Sequence, residues 1–413
     1  MNSQTILIII LIILSIDFIL DQVLDLLNLK NQKAQLPSEL NGIYDHEKYQ
    51  KSLDYYKVNA RFSFITSTFS FMAIVAVIVA GGFGWLDGVL KEKIENPIFI
   101  SLAFFGVLFL ASDLLNIPFS VYKTFVIEEK FGFNKMSFKT FVLDKIKGYV
   151  LAILLGGLIL GILLLLIHTI GPNFWIYFWI VISILIVFIN MFYTSLIVPL
   201  FNKLKPLDDG ELREAIQGYS KNAEFPLDNI FVIDGSKRSS KANAYFSGLG
   251  AKKKIVLFDT LIQNHTKDEL IAVLAHEVGH FKKKHIIVGL VLSVVQMGFM
   301  LFILSLFVFN ADLSKALGAN ETTIHLNLIA FGILYTPISH VVGIFMNIIS
   351  RKNEFEADRF AATTFSGDAL QLALKKLSVN NLSNLTPHPA YVFVHYSHPP
   401  LIERLRALQK HNY

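Results

Sequence analysis

The run His276-Glu277-Val278-Gly279-His280 brings two imidazoles and a carboxylate together within five residues. On an α-helix, residues four apart lie on one face about one turn apart, so His276 and His280 can bind one metal ion together. The H-E-x-x-H pattern is typical of a zinc site in which the glutamate is the general base. Zinc lowers the pKa of a bound water to about 7, and Glu277 would accept its proton as the water attacks a peptide carbonyl. Alone, the pattern also fits an amphipathic helix with two surface histidines.

A second acidic run, Glu354-Phe355-Glu356-Ala357-Asp358, offers a third metal ligand. A catalytic zinc site needs three protein ligands and an open position, and Glu354 is the best candidate. Asp358 lies one turn further along the same face, where it can hydrogen-bond a ligating imidazole or take part in proton transfer. Glu356 projects to another side and is expected to be a surface charge. The stretch also fits a solvated acidic helix start. Because the chain has no cysteine, His, Asp or Glu must hold the one predicted Zn²⁺.

The motif must be positioned by a helix and its neighbours. Thr266 and Glu269 form a capping-box pattern, which predicts a helix that starts near Lys267 and runs through His280. Whether this helix continues into the next apolar segment stays open. The basic run Lys282–Lys284 with His285 is expected to anchor the helix at the membrane interface. Turn residues and short apolar runs upstream predict a helix at Pro206–Asn222 and strands at Ile230–Ile233, Ala244–Ser247 and Lys254–Phe258.

The composition of the 413-residue chain is that of a multi-pass membrane protein. Hydrophobic residues make up 53% and charged residues 17%, against an ordinary charged share of about 25%. The net charge of +5 is interpreted as basic loops beside a membrane, and no module for nucleic acid binding is present. Runs of roughly 20 apolar residues predict seven membrane helices. They are Thr5–Leu26, Phe64–Leu86, Ile98–Val121, Tyr149–Ile170, Phe174–Phe201, Ile286–Phe309 and Leu326–Ile349.

Loop charge predicts how the spans are oriented. Segments 28–62 and 122–148 each carry six Lys or Arg residues, whereas the intervening loop at 87–97 carries two. The positive-inside rule then places these two segments, segment 202–285 and the C-terminal tail in the cytoplasm. The metal motif would therefore face the cytoplasm. The first span has no basic residue before it, so it is interpreted as a retained helix rather than a signal peptide.

These observations predict a mainly α fold with four consecutive parts. The N-terminal part holds five membrane spans, and the second part is a cytoplasmic segment with the H-E-x-x-H helix. Two further spans follow, and a C-terminal cytoplasmic segment completes the metal site. The two cytoplasmic parts would form one α+β domain with a small sheet. The parts are 1–201, 202–285, 286–349 and 350–413.

Several further segments carry a resemblance to a known family. Taken with the two metal motifs, the chain resembles the integral-membrane CAAX prenyl protease 1 family, also called type I CAAX endopeptidases, within the gluzincin metalloproteases. The likeness covers nearly the whole chain. The additional matching segments are Phe131–Asn134, Lys237–Ser240, Asn243–Phe246, Lys254–Thr260, Ser397–Leu401 and Glu403–Leu405.

The resemblance implies a role for each site residue. His276, His280 and Glu354 would bind one zinc ion, and Glu277 would be the general base. Asp358 would be a partner of a ligand or a proton donor. The resemblance also implies that His398 lies near the zinc and steadies the oxyanion. Asn243 would lie at a strand edge that pairs with the substrate backbone by β-strand addition.

The resemblance further implies seven helices enclosing a water-filled chamber. Eukaryotic members remove the last three residues from isoprenylated proteins with a C-terminal C-a-a-X sequence. The substrate would be a peptide or protein, prenylated or not, and membrane lipid would be the other partner. The alternatives are a quality-control protease for damaged or translocation-stalled membrane proteins, and a non-enzymatic transporter or scaffold with structural zinc. Composition favours a bacterial inner membrane over the endoplasmic reticulum of a eukaryote.

Three other residues carry expectations of their own. His340, within the last span, is expected to make an interior hydrogen bond rather than bind metal. Arg351 and Arg404 are expected to pair with acidic groups near the site, because a buried guanidinium needs a partner.

Overall fold

The computed structural model of the chain describes residues 2–42, 44–225, 229–248 and 253–410. Helices dominate the part before residue 202, and short π-helical turns at Lys123–Glu128 and Ala152–Gly156 extend them. These helices are α1 (Ser3–Lys30), α2 (His46–Val79), α3 (Gly82–Lys91), α4 (Pro97–Tyr122), α5 (Phe138–Leu151), α6 (Gly157–Ile170), α7 (Phe174–Leu196) and α8 (Val198–Phe201).

After residue 202 the chain has two long apolar helices, His285–Phe307 and Ile324–Ala361, and several shorter and more polar helices. A π-helical turn at Ala362–Ser366 joins the longest helix to its successor. The helices are α9 (Glu211–Asn222), α10 (Asp259–Asn264), α11 (Lys267–Lys282), α12 (His285–Phe307), α13 (Ala311–Ala316), α14 (Ile324–Ala361), α15 (Gly367–Asn380), α16 (Pro389–His395) and α17 (Leu401–Gln409).

Six helical segments of the described chain are long and apolar enough to cross a membrane. One of them, Phe138–Phe201, contains two of the seven predicted spans, which the tight turn Gly171–Asn173 separates. The other five predicted spans each fall on a segment of their own. The second predicted span, Phe64–Leu86, extends past the end of its helix at Val79. The chain turns there at Ala80 and Gly81, and Gly81 has φ +67°.

The small sheet has the order β1-β2-β4-β3. Its strands are β1 (Leu204–Pro206), β2 (Ile230–Ile233), β3 (Ala244–Ser247) and β4 (Lys254–Phe258). The last three strands confirm the predicted bounds. The helix predicted from Pro206 begins instead at Glu211, because Pro206 pairs with Phe231 as part of β1. Strands β2 and β4 are parallel, β3 pairs antiparallel with β4, and β3 lies at the edge of the sheet.

Helix α11 lies in the core of the polar domain. The Thr266 side chain accepts from the Glu269 backbone N–H while the Glu269 carboxylate accepts from the Thr266 N–H, so the predicted capping box is confirmed. Ten of the sixteen α11 residues are buried, packed against α9, the sheet, α14 and α15. The helix ends at Lys282 and does not continue, because Lys284 takes a left-handed conformation with φ +61° before α12 begins.

Helix α14 connects the membrane part to the metal motif. It has 38 residues, so it is about 57 Å long at 1.5 Å per residue. A bilayer core is about 30 Å thick, so the helix is long enough to cross it and still extend into the polar domain. There its last turns pack against α11. Glu354 and Asp358 are both buried in this contact.

Candidate active site

The two motifs meet at one point. The Nε2 atoms of His276 and His280 are 3.1 Å apart. Oε2 of Glu354 lies 3.5 Å from Nε2 of His276, and Oε1 of Glu354 lies 3.2 Å from Nε2 of His280. Ligands at about 2.0–2.1 Å from a tetrahedral zinc ion lie about 3.3–3.4 Å from one another. The two nitrogens and the two carboxylate oxygens are therefore close enough together for the three predicted ligands to hold one metal ion.

Glu354 carries an unsatisfied atom that a cation would satisfy. Its side chain is 5% exposed, and its Oε2 makes no hydrogen bond within the described chain. The guanidinium of Arg404 is an ion-pair partner of this oxygen at 3.4 Å, but a buried carboxylate oxygen that makes no hydrogen bond is still costly. A metal ion between this oxygen and the two imidazoles would remove that cost. The donor set of two imidazoles and one carboxylate suits a divalent ion such as zinc.

Asp358 contacts the Nδ1 atom of His276, on the side of the ring away from the proposed metal ligand atom, and Arg404 contacts Asp358. Oδ1 of Asp358 lies 2.9 Å from Nδ1 of His276, which leaves Nε2 facing the metal position. The guanidinium of Arg404 donates to both Asp358 oxygens, at 2.8 and 2.6 Å. Burial lowers the pKa of His276, but the carboxylates of Asp358 and Glu354 outweigh burial and raise it to about 9.

Glu277 lies next to these ligands on α11. Its side chain is half-buried, in a helix most of whose residues are fully buried. Burial raises the pKa of Glu277 above its ordinary value, and the nearby imidazoles oppose that rise. A carboxylate with a raised pKa binds a proton more readily. That property suits a general base and acid.

His398 and Asn243 border one cleft beside the metal position. Nε2 of His398 lies 3.3 Å from Oε1 of Glu354, and its side chain is 65% exposed, so the imidazole is open to the cleft. Asn243 immediately precedes the edge strand β3 and lines the same cleft, which has a volume of about 530 Å³. Its side chain accepts from the Ala244 N–H at 2.9 Å. The structure thus brings all seven sequence-predicted site residues to one region.

Arg404 and His340 behave as predicted, whereas Arg351 does not. Arg404 pairs with Asp358 and also lies 3.4 Å from Glu354. His340 bonds the Asp17 carboxylate of α1, so the predicted hydrogen bond is present, between two side chains that are each 34% exposed. The prediction that Arg351 pairs with an acidic group is wrong, because its guanidinium donates to main-chain carbonyls at 392 and 396, at the end of α16.

Two residues near the ligands have contacts that sequence reasoning missed. His285, expected to anchor the helix at the interface, is buried and lies 3.1 Å from His280. Glu356, expected to be a surface charge, is 42% exposed but lies 3.2 Å from His285. No helical spacing rule connects His280 with His285, since they are five residues apart. Only the turn at Lys284 brings them together.

Family models match nearly the entire chain. Residues 25–203 match the model described as "CAAX prenyl protease N-terminal, five membrane helices", and residues 206–412 match peptidase family M48. A solved structure, that of S. mikatae Ste24p, superposes with a TM-score of 0.92 at 34% identity and covers 99% of both chains. The predicted fold of membrane helices around a chamber, with a small sheet, is confirmed by this match.

Relatives of known name align along most of their length. The CAAX prenyl protease 1 homolog of Arabidopsis thaliana is 38% identical over 95% of this chain and 94% of its own. CAAX prenyl protease 1 of Saccharomyces cerevisiae is 36% identical, covering 92% and 89%, and the Homo sapiens homolog is 32% identical, covering 91% and 89%. With such relatives and two family models that together match nearly the whole chain, the chain belongs to peptidase family M48, among the CAAX prenyl protease 1 proteins, and is a multi-pass membrane metalloendopeptidase.

Proposed function

We propose that this enzyme cuts isoprenylated proteins near a C-terminal C-a-a-X sequence, releases the last three residues, and uses one zinc ion per chain. The observation that carries the catalytic part is the convergence of His276, His280 and Glu354, whose ligand atoms all lie within 4.8 Å of one another. The relatives are named CAAX prenyl proteases, which supports the choice of substrate.

The proposed ligands are His276 and His280 through Nε2, and Glu354 through its carboxylate. Zinc bound there would lower the pKa of a water molecule and polarise the scissile carbonyl. Glu277 accepts the proton of the attacking water and returns it to the leaving amine. Because burial raises the pKa of Glu277, the carboxyl can hold that proton between the two steps.

The remaining site residues bind and orient in this proposal. His398, open to the cleft, donates a hydrogen bond to the oxygen that gains negative charge. Asn243 and the free edge of β3 bind the substrate backbone as an added strand. Asp358 holds His276 in the tautomer that presents Nε2 to the metal. Arg404 compensates the charge of Asp358.

We also propose that the site faces the cytoplasm, as part of a domain formed by segments 202–285 and 350–413. The basic segments 28–62 and 122–148 support this orientation through the positive-inside rule. Contacts from these segments to the polar domain agree with it. Arg406 donates to Glu39, and Arg238 donates to Asp144. The choice between a bacterial inner membrane, which composition favours, and the endoplasmic reticulum stays a prediction.

The test is cleavage of a farnesylated C-a-a-X peptide by the purified full-length protein in detergent. The wild type should release the terminal tripeptide, and Glu277→Gln should lose about 10²–10⁴-fold in rate while keeping its zinc, because general acid–base catalysis contributes that much. A Glu354→Ala variant should lose the metal as well. An unprenylated peptide of the same sequence is the matched substrate control.

Each outcome separates the candidate functions. Cleavage of the farnesylated peptide alone supports the proposal in full. Glu277-dependent cleavage of an unprenylated membrane protein, with none of the peptide, would keep the protease and assign it to quality control. Equal activity in the wild type and Glu277→Gln would contradict the assigned mechanism.

A further inference from the structure

His285 and Glu356 lie beyond His280, one of the two proposed histidine ligands. Nδ1 of His280 lies 3.1 Å from Nδ1 of His285, and Nε2 of His285 lies 3.2 Å from Oε2 of Glu356. The His285 side chain is 8% exposed, whereas that of Glu356 is 42% exposed. A buried imidazole therefore links a metal ligand to a carboxylate at the surface.

The hydrogen-bonding capacity of each group fixes one arrangement of protons. If His280 binds the metal through Nε2, its proton must be on Nδ1. His285 then accepts that proton's hydrogen bond at its own Nδ1, so a neutral His285 carries its proton on Nε2. That Nε2–H points at the carboxylate of Glu356, which can only accept when ionised. Every donor along the chain of three residues meets an acceptor.

We propose that His285 and Glu356 are positioning residues that fix the ring orientation and the tautomer of His280 for metal binding. This inference rests on the proposed metal site. The two ligating imidazoles then have different outer partners. His276 is held by Asp358 and Arg404, which are both buried, and His280 is held by the His285–Glu356 pair.

The break between α11 and α12 makes this contact. In a continuous helix each residue turns by about 100°, so residues five apart point about 140° away from each other. His285 could not face His280 in that geometry. Lys284, at φ +61°, redirects the chain so that the first residue of α12 points back to the ligand. A non-glycine residue in this conformation is disfavoured, and the contact that it permits is a reason for it.

The experiment measures zinc affinity in full-length variants in detergent, by competition with a chromophoric chelator. His285→Leu keeps much of the volume but removes the acceptor, and we expect its zinc affinity to fall by about 10–100-fold, the usual effect of losing the outer partner of a ligand. His285→Asn keeps an acceptor near Nδ1 and should recover much of the loss. Glu356→Ala should fall in the same direction. Lys352→Ala is the matched control, since Lys352 lies 3.9 Å from Glu356 and touches no ligand.

A second readout separates positioning from folding. The visible absorption of the Co²⁺-substituted protein should change in His285→Leu and return toward wild type in His285→Asn, because it reports the geometry of the ligands. Zinc affinity and spectrum equal to wild type in both His285→Leu and Glu356→Ala would overturn the inference. If His285→Leu does not fold, Glu356→Ala decides, since it changes a half-exposed side chain. A wild type that binds zinc no better than Glu354→Ala would instead overturn the proposed metal site itself.

Discussion

Arg404 is a buried cation between two buried carboxylates, Asp358 and Glu354, at the metal position. Removing one partner of a buried ion pair costs about 3–5 kcal/mol, because the other partner stays buried and uncompensated. We expect Arg404→Met to lower the Tm of the metal-free protein accordingly. Zinc would compensate Glu354, so zinc should raise the Tm more in the variant than in the wild type. Thermal unfolding with and without zinc measures both effects, and equal zinc-induced gains would contradict this electrostatic role.

His398 is expected to act on the transition state rather than on the metal. Its imidazole is exposed to the cleft, and its contact with Glu354 is at 3.3 Å. Losing a donor to the developing oxyanion costs about 10²–10³-fold in kcat. We expect His398→Ala to show that loss in kcat with KM and zinc content near wild type, and His398→Gln, which keeps a donor, to lose less. Steady-state kinetics and metal analysis test this, and loss of the zinc itself would show that His398 supports the metal site instead.

At the residue scale, local spacing predicts only part of the site. His276 and His280 follow from the helical repeat, since i and i+4 share a face. Glu354 follows from the chemistry of the missing ligand, without any signal for its distance from the histidines. The contact of His285 with His280 depends on one left-handed residue, Lys284, and no sequence pattern marks a lysine for that conformation. The partners of Arg351 likewise depend on where α16 ends, which is a matter of tertiary packing.

At the scale of elements, Gly279 sets how closely α11 approaches α14. A Cβ at this position would lie 3.1 Å from the Cα of Ala357 and 3.1 Å from the Cβ of Phe360. These contacts are tighter than ordinary van der Waals packing, and overpacking of this kind costs about 1–3 kcal/mol. Ala357 lies three residues after Glu354 on the same helix. The second variable position of the H-E-x-x-H motif thus controls the distance between the two helices that carry the ligands.

We therefore expect Gly279→Ala to move α14 away from α11 and to weaken zinc binding, although no ligand is changed. Gly343→Ala is the control, because Gly343 lies on α14, the helix that α11 approaches, and a Cβ there would have nothing within 4 Å. Zinc affinity by chelator competition measures the effect. Equal affinities in the two variants would mean that α14 shifts without carrying Glu354 with it.

Elements with strong local signals match their predicted bounds, whereas two boundaries that lack a local signal do not. The capping box at Thr266 and the three predicted strands agree with the structure. Helix α9 begins at Glu211 rather than at the predicted Pro206, because Pro206 is the last residue of β1. That strand is defined by its pairing with β2, which no local pattern indicates. The end of α2 differs for another reason. Apolar residues continue past Gly81 into α3, so hydropathy alone registers no boundary there.

At the scale of the whole molecule, the N-terminal and C-terminal halves contact each other at α3, far along α14 from Glu354. The Gly84 N–H of α3 donates to the carbonyl of Leu317 at 3.1 Å, after α13. Nearby, Lys91 contacts Asp87 at 2.9 Å and Glu321 at 2.7 Å, and His325 contacts Asp87 at 3.0 Å. These bonds tie α3 to the start of α14. Glu354 lies on the same helix, 30 residues after its first residue, Ile324, which corresponds to about 45 Å of helix.

Disrupting the contact between α3 and the segment after α13 should therefore leave metal binding at the distant site unchanged. A Cβ on Gly84 would overlap the backbone carbonyl of Gly318, and a backbone cannot move aside as a side chain can. We expect Gly84→Ala to destabilise the protein by about 1–3 kcal/mol and to lower its Tm, with zinc affinity unchanged. Gly88→Ala, one turn along α3 with nothing within 4 Å of its Cβ, should be neutral or slightly stabilising, because alanine is the better helix former. Tm and zinc titration of both variants make the test. Sites this far apart with no shared partners should contribute additively, so a loss of zinc affinity in Gly84→Ala alone would show that α14 transmits the disturbance along its length to Glu354.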